Sequence, residues 1–300
     1  METENGPNGD RQVSQLVKVI ECPRDAMQGI EDFIPTETKI RYLNKLLEVG
    51  FDTLDFGSFV SPKTVPQMRD TKNVLAGLRQ ERSNTSLLAI IANTRGALEA
   101  LEYPAIAFLG FPISISETFQ RKNTNKSISE SLAQLAEIQE ACKKKERGLV
   151  AYISMGFGNP YGDPYSPEIV LKFVEVLRSL DISIISVADT VGLALPTEIN
   201  TLFKSLTGEY TSIELGVHLH ASPKHSKEKV EAAISAGCQR IDGALLGLGG
   251  CPMAEDDLVG NIDTTIIKEV LDDGGKAHTL ENDRFLEALV IAREVFSGLT

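Results

Sequence analysis

Apolar, β-type runs alternate with longer amphipathic stretches from one end of this 300-residue chain to the other. That alternation limits the folds open to it, because strands that alternate with helices pack as parallel sheets. Eight runs read as strands, starting near residues 15, 53, 86, 105, 149, 182, 213 and 239. Between them lie helical spacings. In Thr36–Val49 the apolar residues Ile40, Leu43, Leu46 and Leu47 share one face, and Gly50 supplies the stop. Pro66–Gln80, Arg95–Glu102, Ser127–Arg147, Ser166–Leu180, Pro196–Leu206 and Ser226–Gly237 read the same way. Eight strand–helix units over about 230 residues predict an α/β fold, a closed (β/α)8 TIM barrel. An open doubly wound sheet is the rival, but its glycine fingerprint G-x-G-x-x-G is absent after the first strand. The expected organisation is a disordered polar tail over residues 1–12 and a single barrel catalytic domain over 13–300. Two extra C-terminal helices, Asn261–Asp272 and Asn282–Phe296, close it.

Charge and composition exclude some functions. A net charge of -12 argues against a general nucleic-acid binder, which needs a basic stripe. No apolar run approaches the ~20 residues of a membrane span. The first residues, Met1 to Arg11, lack the basic start and apolar core of a signal peptide. Cys22, Cys142, Cys238 and Cys251 form no C-x-x-C pair, so free thiols in a reducing cytoplasm are expected. The sequence leaves oligomeric state open, a homodimer included.

A barrel carries its reactive groups at strand C-termini and in the loops that follow. The unusual polar residues fall there: Arg24 and Asp25 after strand one, Asp55 and Ser58 at strand two, Ser186 and Asp189 at strand six. Gly156–Pro164 reads as an active-face loop. His218 and His220 close strand seven; two apart on a strand, they point to one face. They read as half of a divalent-cation site, with inert polar filler as the plain alternative. Asp25 and Asn261, from the neighbouring first and eighth units of a closed ring, are placed to add oxygen ligands. Two imidazoles, a carboxylate and an amide oxygen suit Mg2+ or Mn2+, with zinc, which usually takes a softer four-coordinate set, as the alternative. The plain alternative for Asp25 is a helix cap or a salt bridge to Arg24.

Leu246-Gly-Leu-Gly-Gly-Cys-Pro252 carries three glycines in four residues, a backbone that can move and approach a ligand. Cys251 sits at its end, where a cysteine with lowered pKa can act as proton donor or acceptor. Taken in order, Glu21-Cys-Pro-Arg-Asp-Ala-Met-Gln28, Ser58-Phe-Val-Ser-Pro-Lys63 with Val65-Pro-Gln-Met68, Asp189-Thr-Val-Gly192, Val217-His-Leu-His220, Leu248-Gly-Gly-Cys-Pro252 and Gly260-Asn261 resemble the motifs of the 3-hydroxy-3-methylglutaryl-CoA lyase family. The resemblance runs from about Val17 to Asn261, nearly the whole expected barrel.

The resemblance implies a metal-dependent carbon–carbon lyase acting on an acyl-CoA, releasing acetoacetate and acetyl-CoA. Leucine degradation and ketone-body formation are the pathways that use such a step. It implies that Asp25, His218, His220 and Asn261 hold the cation. Arg24 would stabilise the enolate oxygen, Asp55 would assist proton transfer and Cys251 would act from a flexible lid. Gln28, Ser58, Ser186 and Asp189 would line the substrate pocket. A CoA thioester also needs cations for its phosphates, and Arg121, Lys122, Lys126 and Lys63 are candidates, with a solvated loop as the plain alternative. The chain departs from the family pattern at Ala26, Asp55, Ala188, Ala221-Ser-Pro-Lys224, Met253 and Glu255-Asp-Asp257. These departures bear on pocket shape, and so on which 3-hydroxyacyl-CoA fits. The competing readings are a lyase for a related thioester, an enzyme condensing acetyl-CoA with a 2-oxo acid, and an inactive metal-binding barrel.

Overall fold

A computed structural model describes residues 16–250 and 259–297. The tail expected over 1–12, Cys251 and the departures at 253–257 lie outside these described residues. Eight parallel strands close into a barrel in sequence order: β1 (Lys18–Glu21), β2 (Thr53–Ser58), β3 (Ser86–Ile90), β4 (Ile106–Ser114), β5 (Gly148–Ser154), β6 (Ile184–Asp189), β7 (Glu214–Leu219) and β8 (Arg240–Gly243). The ring closes where β1 pairs with β8, Lys18 opposite Arg240 and Glu21 opposite Gly243. Each strand's outer side chains, such as Leu215, Val217 and Leu219 on β7, are buried beneath the helix layer. Burial of that apolar surface is the main force closing the ring.

The two ends of the barrel differ. At the N-terminal end, buried Arg240 donates to Glu214 at 3.0 Å, and Lys18 donates to the same carboxylate at 2.6 Å. Asp52 lies 3.6 Å from Arg240. These opposed charges plug the ring and read as structure, since barrel chemistry belongs at the other end. No helix among the described residues is long and apolar enough to cross a membrane.

Three expectations need correction. Pro66–Gln80 is not one helix but a 3₁₀ turn, Pro66–Met68, followed by Thr71–Ala76. Gln67 is turned inward, donating to Ile30 O and Asp32 O, and Asp70 accepts from buried Lys39 at 2.7 Å. These tertiary bonds override the helical spacing. The helix expected from Asn261 starts instead at Thr264, because Asp263 caps it by accepting from Thr265 N. Two short helices, Pro23–Gln28 and Glu117–Thr124, stand where the sequence suggested loops.

Glu21, at the end of β1, ties the ring closure to the C-terminal helices. Its carboxyl accepts from Leu245 N at 2.7 Å and Thr264 Oγ1 at 2.6 Å. Burial pushes its pKa from 4.5 up to about 8, against those two hydrogen bonds. Above pH 4.5 the unfolded chain therefore releases a proton that the folded chain keeps until about pH 8. Stability should fall as pH rises through that window, by up to about 1.4 kcal/mol per pH unit. Glu21→Gln mimics the protonated acid and should flatten this fall. Melting temperatures of both proteins across the window provide the check; parallel curves would contradict the assignment.

Candidate active site

The site begins with the short helix after β1. Pro23 occupies its first turn, where a missing N–H costs nothing. One helical turn then aligns Arg24, Asp25 and Gln28, since positions three and four apart are neighbours. Arg24 Nη1 donates to Gln28 Oε1 at 2.7 Å and to Asp25 Oδ1 at 3.3 Å, and Gln28 Nε2 donates to Asp25. Across the rim, Arg24 forks onto Asp55 of β2, with Nε 3.2 Å from Oδ1 and Nη2 2.7 Å from Oδ2. Both side chains are nearly buried, so this bidentate pair is fixed in direction. Burial pushes the Asp55 pKa up to about 6, against the charge and hydrogen bonds of Arg24.

The imidazoles arrive from the other side of the closure. The His218 and His220 rings are 5.0 Å apart and nearly perpendicular. Each has its Nδ1 engaged: His218 with Asp242 Oδ2 at 3.1 Å, His220 with the backbone oxygen of Asp189 at 3.0 Å. That selects the tautomer that leaves Nε2 available. His220 Nε2 is buried with no hydrogen-bond partner among the described residues. Such an orphan calls for a missing ligand. Burial, helped by the neighbouring His218, lowers the His220 pKa to about 4, which keeps the ring neutral and able to ligate.

Asp25, His218 and His220 each offer a ligand atom within 4.8 Å of the others. Burial opposes ionisation of Asp25, but Arg24, His218, His220 and the Asn261 amide hold its carboxyl below its ordinary pKa. A second cluster, Cys22, His218 and Asp242, meets the same distance test. It is the poorer cation site. Burial and the carboxylates around it push the Cys22 thiol well up, and His218 already spends Nδ1 on Asp242.

Asn261 reaches the same place. Its segment forms a bridge with His220, and its Nδ2 donates to Asp25 Oδ2 at 2.6 Å and to Leu248 O at 2.8 Å. The amide nitrogen thus faces the carboxylate, leaving Oδ1 as the atom with which Asn261 would coordinate. The glycine loop passes directly overhead. A side chain at Gly249, where φ is +92°, would meet Asp25 O at 2.6 Å and Asn261 Nδ2 at 2.7 Å.

Other expected residues scatter. Ser58 Oγ and Ser186 Oγ are buried without hydrogen-bond partners among the described residues, as groups awaiting a substrate would be. Asp189 does not face the lumen. It is opposite Leu219 and on the other face from Ala188, which is opposite His218. Its carboxylate accepts from Lys229 Nζ at 2.8 Å and Ala194 N at 3.1 Å. The expected pocket-lining role is therefore corrected to one in the helix layer. Arg121 is exposed and paired with Glu117 at 2.7 Å, and Lys122 Nζ lies 4.7 Å above the Tyr161 ring. The loop after β5 is anchored by Asp163, which accepts from Thr118 N and Oγ1 at 2.9 Å. A cavity of about 390 Å³ opens beside Ser58, and its cations are Arg69, Lys72 and Arg95. None of these was singled out from the sequence. Asp242 was missed too; its only signal is a carboxylate two residues from Arg240 on a four-residue strand.

This geometry defines a barrel with a candidate cation site at its C-terminal rim, beside a fixed guanidinium. The chain belongs to the HMGL-like family, whose model matches residues 17–288. It is 35% identical to the hydroxymethylglutaryl-CoA lyase of Bacillus subtilis over 77% of each chain. It is 32% identical to the mitochondrial hydroxymethylglutaryl-CoA lyase of Mus musculus, over 91% of this chain and 83% of that one. A solved HMG-CoA lyase from Acinetobacter baumannii, in complex with coenzyme A and 3-methylmalate, superposes with a TM-score of 0.87 at 30% identity. That match covers 95% of this chain and 92% of the other.

Gly249→Ala should leave the barrel folded and weaken cation binding, because the added carbon collides with backbone and amide atoms at the ligand set. A loss of about tenfold or more in Mn2+ affinity by titration calorimetry is expected, the scale seen when the groups supporting a metal ligand are disturbed. Unchanged affinity would count against the cation site's position.

Proposed function

We propose that this chain is a metal-dependent lyase that cleaves 3-hydroxy-3-methylglutaryl-CoA to acetoacetate and acetyl-CoA. One observation carries the reading: a carboxylate and two imidazoles converge within 4.8 Å next to Arg24, in a chain of this family. Asp25, His218, His220 and, through Oδ1, Asn261 would hold the cation. A carboxylate and an amide oxygen beside two imidazole nitrogens, with further positions for substrate oxygens, suit Mg2+ or Mn2+. When bound, such a cation polarises substrate oxygens and lowers the basicity needed to deprotonate the 3-hydroxyl.

The chain's own residues do the rest. The 3-hydroxyl proton passes to the Asp55 carboxylate, the C2–C3 bond breaks, and its electron pair moves into the thioester to give an enolate. Arg24, held by Asp55, meets the charge that develops on the enolate oxygen. Asp55, with its pKa raised to about 6, is suited to carry a proton near neutral pH. A proton returned to C2 completes acetyl-CoA, and Cys251 on the glycine loop is the donor the sequence offers. Ser58 and Ser186 hydrogen-bond the substrate with hydroxyls that lack partners among the described residues. The acetoacetate-forming step of leucine degradation is a pathway this reaction fits.

The test is direct. Incubated with 3-hydroxy-3-methylglutaryl-CoA and Mg2+ or Mn2+, the protein should release acetoacetate, and a chelator should stop it. Arg24→Gln should cut turnover on the order of 100-fold or more while cation binding persists. A near-normal rate in that variant would remove Arg24 from the chemistry. Consumption of acetyl-CoA with a 2-oxo acid instead would favour a condensing enzyme.

The thioester's phosphates are proposed to lie in the cavity beside Ser58, against Arg95 and its neighbours Arg69 and Lys72. This sets aside Arg121 and Lys122, which line no part of that cavity. Arg95→Ala should raise KM for the thioester several-fold and leave kcat unchanged, the signature of lost uniform binding. A KM that instead responds to Arg121→Ala would restore the earlier placement.

A further inference from the structure

Helix Pro223–Ser235 carries a lysine that does not behave as a helix-surface lysine should. Lys229 is buried, and its ammonium is fully used: Nζ donates to Asp189 Oδ2 at 2.8 Å, His220 O at 2.9 Å and Gly192 O at 3.0 Å. Three donors meet three acceptors, the most an ammonium can satisfy. Two of those acceptors belong to residues that place an imidazole. His220 is itself a candidate ligand, and Asp189 supplies the backbone oxygen that accepts from His220 Nδ1 at 3.0 Å. The ammonium therefore grips the ends of β6 and β7 from outside the barrel, at the level where the ring is oriented inside it. Gly192 begins the return of the β6 loop, so the same cation also fixes that turn. The acidic partner is held independently, since Ala194 N donates to the same Asp189 oxygen at 3.1 Å.

We propose that Lys229 is a positioning residue for His220. By pinning both strand ends it fixes the imidazole in the Nδ1–H tautomer and leaves Nε2 turned toward Asp25. It touches no substrate and acts only through His220. The inference rests on the cation-site reading above for its consequence in binding, but not for its effect on the tautomer.

Lys229→Met alone strands a buried carboxylate and can simply destabilise the fold. The paired variant Asp189→Asn/Lys229→Met removes both charges and keeps the fold testable. Nitrogen-15 NMR of the imidazoles is readable here because the chain has four histidines. In the metal-free parent, His220 should show protonated Nδ1 and bare Nε2. In the paired variant, with thermal stability near the parent's, that pattern should give way to a mixture of tautomers. Affinity for Mn2+ alone, by titration calorimetry, should fall on the order of tenfold to a hundredfold. A paired variant that is folded and keeps the parent tautomer would overturn the proposal, whatever its activity. If the tautomer changes while the parent itself binds no Mn2+, Lys229 stands as a positioning residue and the cation reading fails.

Discussion

Asp25 meets two imidazoles only because β1 pairs with β8. The three residues come from opposite ends of the chain, and a sheet left open between β1 and β8 would hold them at its two far edges. Closure aligns Glu21 with Gly243, which brings the Pro23–Gln28 helix over the rim beside the end of β7. Glu21 reinforces the seam by accepting from Leu245 and Thr264, the two segments that carry the chain back toward Asn261. The energy for closure comes from apolar packing between strands and helices, which is indifferent to what the rim carries. The chemistry is thus placed by forces that do not depend on it, and this is how a barrel can vary its rim without losing its fold.

At that rim, burial sets the electrostatics. Asp25, Asp55 and Asp242 lie close together in a region with little water, where like charges repel more strongly than at a surface. The protein meets this by giving each carboxylate its own hydrogen-bond set, with Arg24 reaching both Asp55 and, at 3.3 Å, Asp25. Asp55 takes the fork of Arg24, Asp242 takes His218 Nδ1, and Asp25 takes single bonds from Gln28 and Asn261. Asp55 is still pushed up to about 6, whereas Asp25 is held low, so neighbouring acids are driven to opposite sides of their ordinary pKa. A divalent cation held among Asp25, His218 and His220 would add positive charge beside these carboxylates.

The hydrophobic part of this design is legible in the sequence, and the ionic part only partly so. Strand and helix periods follow from which side chains avoid water, and the eight runs fall close to the eight strands. His218 and His220 stand out because two histidines at an interval of two on an apolar strand are chemically conspicuous. Asp242 is not conspicuous; it becomes meaningful only when register places it opposite His218. Lys229 reads as one more charge in Lys224-His-Ser-Lys-Glu-Lys-Val-Glu231, a run with the look of a solvated face. Its burial is decided by Asp189, which lies at the end of β6. Asp189 is assigned to the pocket with Ser186 by resemblance, but three residues apart on β6 the two face opposite sides of the strand. The helix Pro23–Gln28 was missed for a different reason: at six residues it is too short to show a period.

The glycine loop and the candidate ligand set share a single hydrogen-bonding group. Asn261 Nδ2 has two protons; one goes to Asp25 and the other to Leu248 O. Gly249 follows with a positive φ, and its neighbours come so close that no side chain fits. Gly260 packs as tightly on Gly247, where a side chain would collide with the carbonyl oxygen. The loop's first residues are therefore a backbone wall of the site, joined to Asp25 through one amide. A shift of Leu248 would free one amide proton, loosening the orientation of Asn261 and with it the hydrogen bond that helps keep Asp25 ionised. Geometry at the loop and charge at the ligand are coupled without any further element, because both depend on the same nitrogen.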